Sequence, residues 1–209
     1  MLKQILTFSL AFLLCACVGG IRKSHWADRG IYQHVNFFAA NHTQAAFKAV
    51  GTMNGMGLEG VLIVKKISED DYEVSVLAGG AYRVMQAQVT PQGIAYRYLF
   101  KEADTPLVRG RISQFLSLLL LAPGDYQRHS QKNDELTVVY KNDTATVRLF
   151  YTLPEVFPVK AQTATLLNTA EMFYGQYAPA DEVGSTWVPH ELMYKDGKIE
   201  LALELIRLQ

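Results

Sequence analysis

The two cysteines of this 209-residue chain, Cys15 and Cys17, are separated only by Ala16 in the stretch "LLCACVGG". A thiol can bridge to another thiol, ligate a metal or act as a nucleophile, and no cysteine elsewhere can partner either one. The five histidines, His25, His34, His42, His129 and His190, are scattered, and no two share a metal-ligand spacing. Acidic pairs at Asp70-Asp71, Asp134-Glu135 and Asp181-Glu182 fall in turn-like stretches. Solvated turn carboxylates explain them better than a catalytic pair. G-x-S-x-G, H-E-x-x-H, phosphate-loop and dinucleotide signatures are missing. The residue types therefore point to a chain that is not an enzyme and needs no metal or cofactor. With 20 basic and 20 acidic residues there is no electrostatic case for nucleic acid.

What precedes the cysteines decides their chemistry. "MLKQ" supplies a basic start, and "ILTFSLAFLLCA" (5–16) is almost wholly apolar. This order describes a secretory signal peptide, and the run is shorter than the roughly 20 residues of a membrane span. Leu14-Cys15-Ala16-Cys17 resembles the bacterial lipobox. The resemblance implies that Cys17 becomes the first mature residue and carries acyl chains, while Cys15 leaves with the signal. Several acyl chains hold a protein stably on a bilayer, where one chain is marginal. In such lipoproteins Asp after the Cys marks inner-membrane retention; Val18 stands there, which implies the periplasmic face of the outer membrane. The expected organisation is a signal at 1–16, a lipidated tether at 17–28 and a single domain at 29–209. Loss of the 16-residue signal leaves 193 of 209 residues, enough for one sizeable core.

The elements that must do the positioning are written mostly in period two. "VLIVKKI" (61–67), "YEVSVLA" (72–78), "AYRVMQAQV" (81–89) and "IAYRYLF" (94–100) are joined by short turns, which predicts an antiparallel meander. Strands are also expected at 31–38, 44–50, 135–141, 144–151, 157–168, 170–177, 185–195 and 198–209. Asp196-Gly197 is a hairpin signal between the last two. Alternation places Ile94, Tyr96, Tyr98 and Phe100 on one face, and Ile199, Leu201, Leu203 and Leu205 on one face of the final strand.

One segment breaks the pattern. Thr105 as N-cap, Pro106 at the first helical position and Pro123-Gly124 as a stop predict a helix over 106–122. Its second half is apolar nearly all round, so it must be buried on more than one side. It either plugs the core of a curved sheet or covers a lipid-sized cavity and moves. Phe115, Leu116, Leu119 and Leu120 are expected to face the hollow and touch any bound acyl chain. Tyr96 and Tyr98 either pack in the core or line the same cavity. Arg109 and Arg111 near the helix start are expected to solvate the surface, or else to meet a lipid phosphate or carboxylate.

A lipobox, a long meander, a mid-chain apolar helix and a final strand pair resemble, in that order, the Lol-type lipoprotein carriers and outer-membrane receptor (LolA/LolB-like). The closest segment is "EGVLIVKKISEDDYEVSVLAGGAYRVMQAQVTPQGIAY" (59–96). The resemblance implies a mainly β fold with α. It would be a curved antiparallel sheet, an unclosed half-barrel, with helices over its concave face and an apolar hollow for acyl chains. In the receptor the turn matching Ala78-Gly79-Gly80 carries a protruding Leu; Gly80 stands about where that Leu would be, so receptor activity is not carried over. The expected partners are a lipid or acyl chain, the outer membrane through Cys17, and an envelope protein. The alternative function is a structural or assembly lipoprotein that docks to an envelope complex. An open hollow of several hundred Å3 favours the ligand and a filled one favours docking, since ligand pockets run about 300–1,000 Å3.

Overall fold

Period-two patterning becomes strand wherever the side chains alternate strongly between apolar and polar. The computed structural model describes residues 35–38, 41–53, 55–79, 81–142, 145–164, 169–180, 186–197 and 199–209. The signal, Cys15, Cys17, the tether and Gly80 lie outside the described residues. In chain order the elements are β1 (Gln44–Met53), β2 (Met56–Ser68), β3 (Asp71–Ala78), β4 (Tyr82–Thr90) and β5 (Gly93–Leu99). A 3-10 turn (Lys101–Ala103) leads into α1 (Pro106–Leu120). Then come β6 (Asp125–Lys132), β7 (Glu135–Lys141), β8 (Thr146–Thr152), β9 (Pro158–Ala164), β10 (Thr169–Pro179), β11 (Trp187–Asp196) and β12 (Ile199–Leu208).

The strands form one sheet in the order β5-β4-β3-β2-β1-β12-β11-β10-β9-β8-β7-β6. Every pairing is antiparallel. The first five strands and the last seven are each a meander, and β1 pairing with β12 joins them. The edges β5 and β6 do not pair, so the sheet is not closed. They are nonetheless consecutive strands of the chain, and α1 is the connection between them. The helix must therefore cross from one edge of the sheet to the other.

The sheet has to curve for this to work. Flat, β5 and β11 would lie about 29 Å apart, six strand spacings of about 4.8 Å. Yet Tyr96 on β5 and Tyr194 on β11 reach the backbone of α1 only two residues apart, at the Arg109 and Arg111 carbonyls. Small residues make the curvature possible. A Cβ on Gly51 would collide with the Glu200 carbonyl, and one on Gly60 with the Leu77 carbonyl. Glycine is what allows such close strand approach. Ala45, Ala49, Ala87, Ala161 and Ala170 are also buried on the inner side.

Three sequence expectations change. Residues 35–38 of the expected 31–38 strand form a turn instead, because the Asn36 side chain accepts the Phe38 N–H (2.9 Å) and closes it. The turn still contributes to the core: Phe37 meets Phe47 edge-on at 5.2 Å, and Phe38 lies 5.4 Å from Tyr72. β6, "DYQRHSQK", is a strand the sequence does not announce, since an edge strand exposed on both faces needs no alternation. In β5 a bulge opposite Gln86/Ala87 shifts the register, so that Tyr96 pairs with Ala87 and Tyr98 with Gln86. Tyr98 thereby leaves the inner face, is 44% exposed, and yields the inner position to Leu99 opposite buried Met85.

Candidate ligand-binding hollow

The sequence of α1 fixes where it starts and what it buries. The Thr105 side chain accepts from Val108 N (3.3 Å), and Pro106 occupies the first turn, where its missing N–H costs nothing. Leu120 is the last helical residue. Phe115, Leu116 and Leu119 are 8%, 0% and 2% exposed, and Leu120 is partly buried against the same core. The structure thus brings all four expected helix residues into the hollow, together with Tyr96. The same apolar cluster includes Leu149, Ala161, Met172 and Tyr194. Phe115 packs edge-on against Tyr194, with ring centroids 5.1 Å apart.

Polar contacts clasp the helix near its N-terminal end. Tyr96 Oη lies 2.9 Å from the Arg109 carbonyl, to which it donates, and 3.2 Å from Ser113 Oγ. Burial raises the Tyr96 pKa, against the lowering effect of the Ser113 hydrogen bond and the Arg109 charge. Arg109 forms a two-pronged pair with Asp104 (2.5 and 3.0 Å) and sits 5.1 Å over the Tyr96 ring. The guanidinium holds the Asp104 carboxyl below the usual range. Arg111 is not a surface residue: its side chain is 20% exposed, and its Nε lies 3.8 Å from Asp196, which is fully buried. Tyr194 Oη shares its proton between the Arg111 carbonyl (3.4 Å) and Asp196 Oδ2 (3.3 Å). Both arginines therefore bind protein groups. Asp196 carried no signal in the sequence beyond its place in a turn dipeptide.

The buried tyrosines make stability depend on alkaline pH. Burial, then the Asp196 charge and hydrogen bond, push Tyr194 far above the ordinary value of 10.0, with Arg111 opposing. Burial, then Tyr174 and Tyr151, do the same for Tyr177, which donates to the Pro158 carbonyl. Above that ordinary value the unfolded chain loses these protons and the folded chain keeps them. Their stabilisation is complete below about pH 10 and falls by about 1.4 kcal/mol per pH unit per tyrosine above it. Urea unfolding between pH 9 and 11.5 should show this fall, and Tyr194→Phe should remove one share of the slope.

Beneath α1 lie its own buried side chains, Phe115, Leu116 and Leu119. A groove of about 570 Å3 lies instead on the opposite, convex face of β10, β11, β12 and β1. Among the described residues no group of three or more His, Cys, Asp or Glu side chains could hold a metal, and no helix is long and apolar enough to cross a membrane.

No protein-family model matches the chain, and no curated protein matches it. Solved structures do. A LolA superfamily protein from Nitrosomonas europaea superposes with a TM-score of 0.56 at 12% identity, over 80% of this chain and 85% of that one. A DUF1329 family protein from Desulfovibrio piger gives 0.48 at 7% identity, over 80% and 85%. At such identities the likeness is one of fold. The open, curved antiparallel sheet with its inner helix is the LolA-type fold.

Proposed function

We propose that this chain is an outer-membrane lipoprotein, anchored through Cys17, that takes an acyl chain or other amphiphile onto the concave wall of its sheet when α1 lifts. The observation that carries the reading is how α1 is attached. The helix fills an apolar hollow, yet it makes no backbone–backbone hydrogen bond to any described strand. Lifting it breaks no rung of the sheet. Exposing three buried side chains costs about 1.5–3 kcal/mol each and parting Arg111 from buried Asp196 about 3–5 kcal/mol more, and an acyl chain of about 15 methylenes returns about 12 kcal/mol, a gain of the same size. Phe115, Leu116, Leu119, Leu120 and Tyr96 line the hollow that the chain then enters, while Tyr98 faces away. The lipobox and the likeness to the LolA fold support the outer-membrane, periplasm-facing location.

A second reading is a structural lipoprotein that docks to an envelope protein, and the burial of Phe115, Leu116 and Leu119 against the sheet favours it. Native mass spectrometry of the chain begun at Tyr32 decides between them. Every residue of the described core lies after that point. A co-purified acyl lipid, one per chain, is the result expected for a carrier; a ligand-free protein that also fails to bind a fluorescent fatty acid leaves docking as the better reading. The anchor is tested separately. Cys17→Ser should abolish labelling by a fatty-acid probe in cells, Cys15→Ser should leave it intact, and unchanged labelling of Cys17→Ser would refute the lipid anchor.

A further inference from the structure

The convex face carries a feature that acyl binding in the hollow does not use. Val50, Ala202, Met193 and Phe173 stand level with one another on β1, β12, β11 and β10. Facing away from α1, they line the groove of about 570 Å3. Val50 and Met193 are 44% and 43% exposed, on a face where an antiparallel sheet ordinarily turns polar side chains to water.

The neighbouring row on the same face reads Gly175, Glu191, Glu204, Lys48. Glu191 and Glu204 are directly opposite each other on adjacent strands, a placement of like charges that destabilises a sheet. Gln176 Nε2 donates to Glu191 Oε1 (2.5 Å) and fixes that carboxylate. Neither glutamate has an ion pair within 4.0 Å among the described residues. On the opposite margin of the apolar row the carboxylates are neutralised, Glu171 by Lys160 (3.2 Å) and Glu200 by Lys195 (3.3 Å). Gly175 keeps the end of the acidic row open, and Lys48 supplies the one cation at its far end.

We propose that this groove binds an amphiphile through an ammonium head. The ammonium sits between Glu191 and Glu204, which relieves their repulsion and accepts its N–H donors. The hydrocarbon lies along Phe173, Met193, Ala202 and Val50. The volume falls in the range of small-molecule sites, about 300–1,000 Å3. An anionic head would meet the same two carboxylates and be repelled. A free long-chain amine and an aminophospholipid head share this chemistry, but only the second brings a phosphate within reach of Lys48.

Calorimetric titration of the chain begun at Tyr32 with dodecylammonium, below its micelle concentration, tests the site. Saturable one-to-one binding is expected. It should weaken at least tenfold in Glu191→Gln/Glu204→Gln and several-fold in Met193→Asn, and dodecyl sulfate should not compete. The glutamine pair removes a repulsion, so its melting midpoint should hold or rise; should it fail to fold, Met193→Asn alone decides. Lysophosphatidylethanolamine binding that falls in Lys48→Gln assigns a lipid head, and binding indifferent to Lys48 assigns a free amine; both retain ammonium recognition. Wild-type affinity in the glutamine pair, equal competition by dodecyl sulfate, or no saturable binding would overturn the proposal. Failure of fatty-acid binding in the hollow would leave it standing, because Leu119→Ala should not change dodecylammonium affinity.

Discussion

Leu119→Ala should lower the free energy of unfolding by about 2–5 kcal/mol, the range for truncating a large aliphatic side chain in a closed core. Leu119 is 2% exposed and packs in the cluster that joins α1 to the sheet. Leu107, on the same helix but 66% exposed, is the control: Leu107→Ala should change stability by no more than about 0.5 kcal/mol. The two functional readings part on a second measurement. If an acyl chain replaces α1 on the sheet, a mutation that weakens the helix seat makes the open state less costly, and apparent acyl affinity rises. Leu119→Ala should then bind a fluorescent fatty acid more tightly than wild type while unfolding more easily. A large stability loss with no fatty-acid binding by either protein would make the helix a permanent plug and leave docking as the function.

The meander and the helix were legible because each repeats one physical rule over many residues. Ile199 to Leu205 alternate, and the structure buries Ile199, Leu203 and Leu205 on one face. Thr105-Pro106 announces a helix start, and the cap forms where the residue types place it. The failures fall where a local event overrides the period. A single bulge in β5 turns Tyr98 outward, and no residue type in "IAYRYLF" marks it. Phe37 and Phe38 read as strand because they are apolar, but Asn36 bends them into a turn. β6 is silent because, exposed on both faces, it has no apolar face to show. Sequence could place the Leu-rich helix inside the sheet but could not say whether it fills the hollow, since the same side chains do either. Nor could it reveal Asp196, a hairpin-end residue that meets the distant Arg111 and, two residues away, Tyr194. The convex groove is likewise a property of register. Val50, Ala202, Met193 and Phe173 come from four strands and meet only when those strands pair.

Asp196→Ala should destabilise the fold by about 3–5 kcal/mol, the cost of breaking a buried ion pair by removing one partner. Asp196 has no solvent exposure, and Arg111 keeps only a fifth of its side chain in water. The substitution leaves a guanidinium with little hydration and Arg111 Nε already lacks a hydrogen-bond partner among the described residues. It also strips an acceptor from Tyr194, whose hydroxyl then rests on the Arg111 carbonyl alone among the two oxygens it shares. Asp196→Asn keeps that acceptor and should cost less. The informative variant is the double one. Asp196→Leu with Arg111→Met replaces the pair by apolar groups of similar size, and such replacements are commonly neutral or stabilising by about 1–4 kcal/mol. Set against the cost of losing Asp196 alone, a strongly non-additive cycle is therefore expected from chemical unfolding, with a coupling of at least about 3 kcal/mol between the sites. Function should move the other way. An apolar seat holds α1 without the desolvation penalty of two charges, so the helix lifts less readily and acyl affinity should drop below wild type. Additive losses in the cycle, or unchanged fatty-acid binding in a stabilised double variant, would show that this pair does not govern how firmly α1 is seated in the hollow.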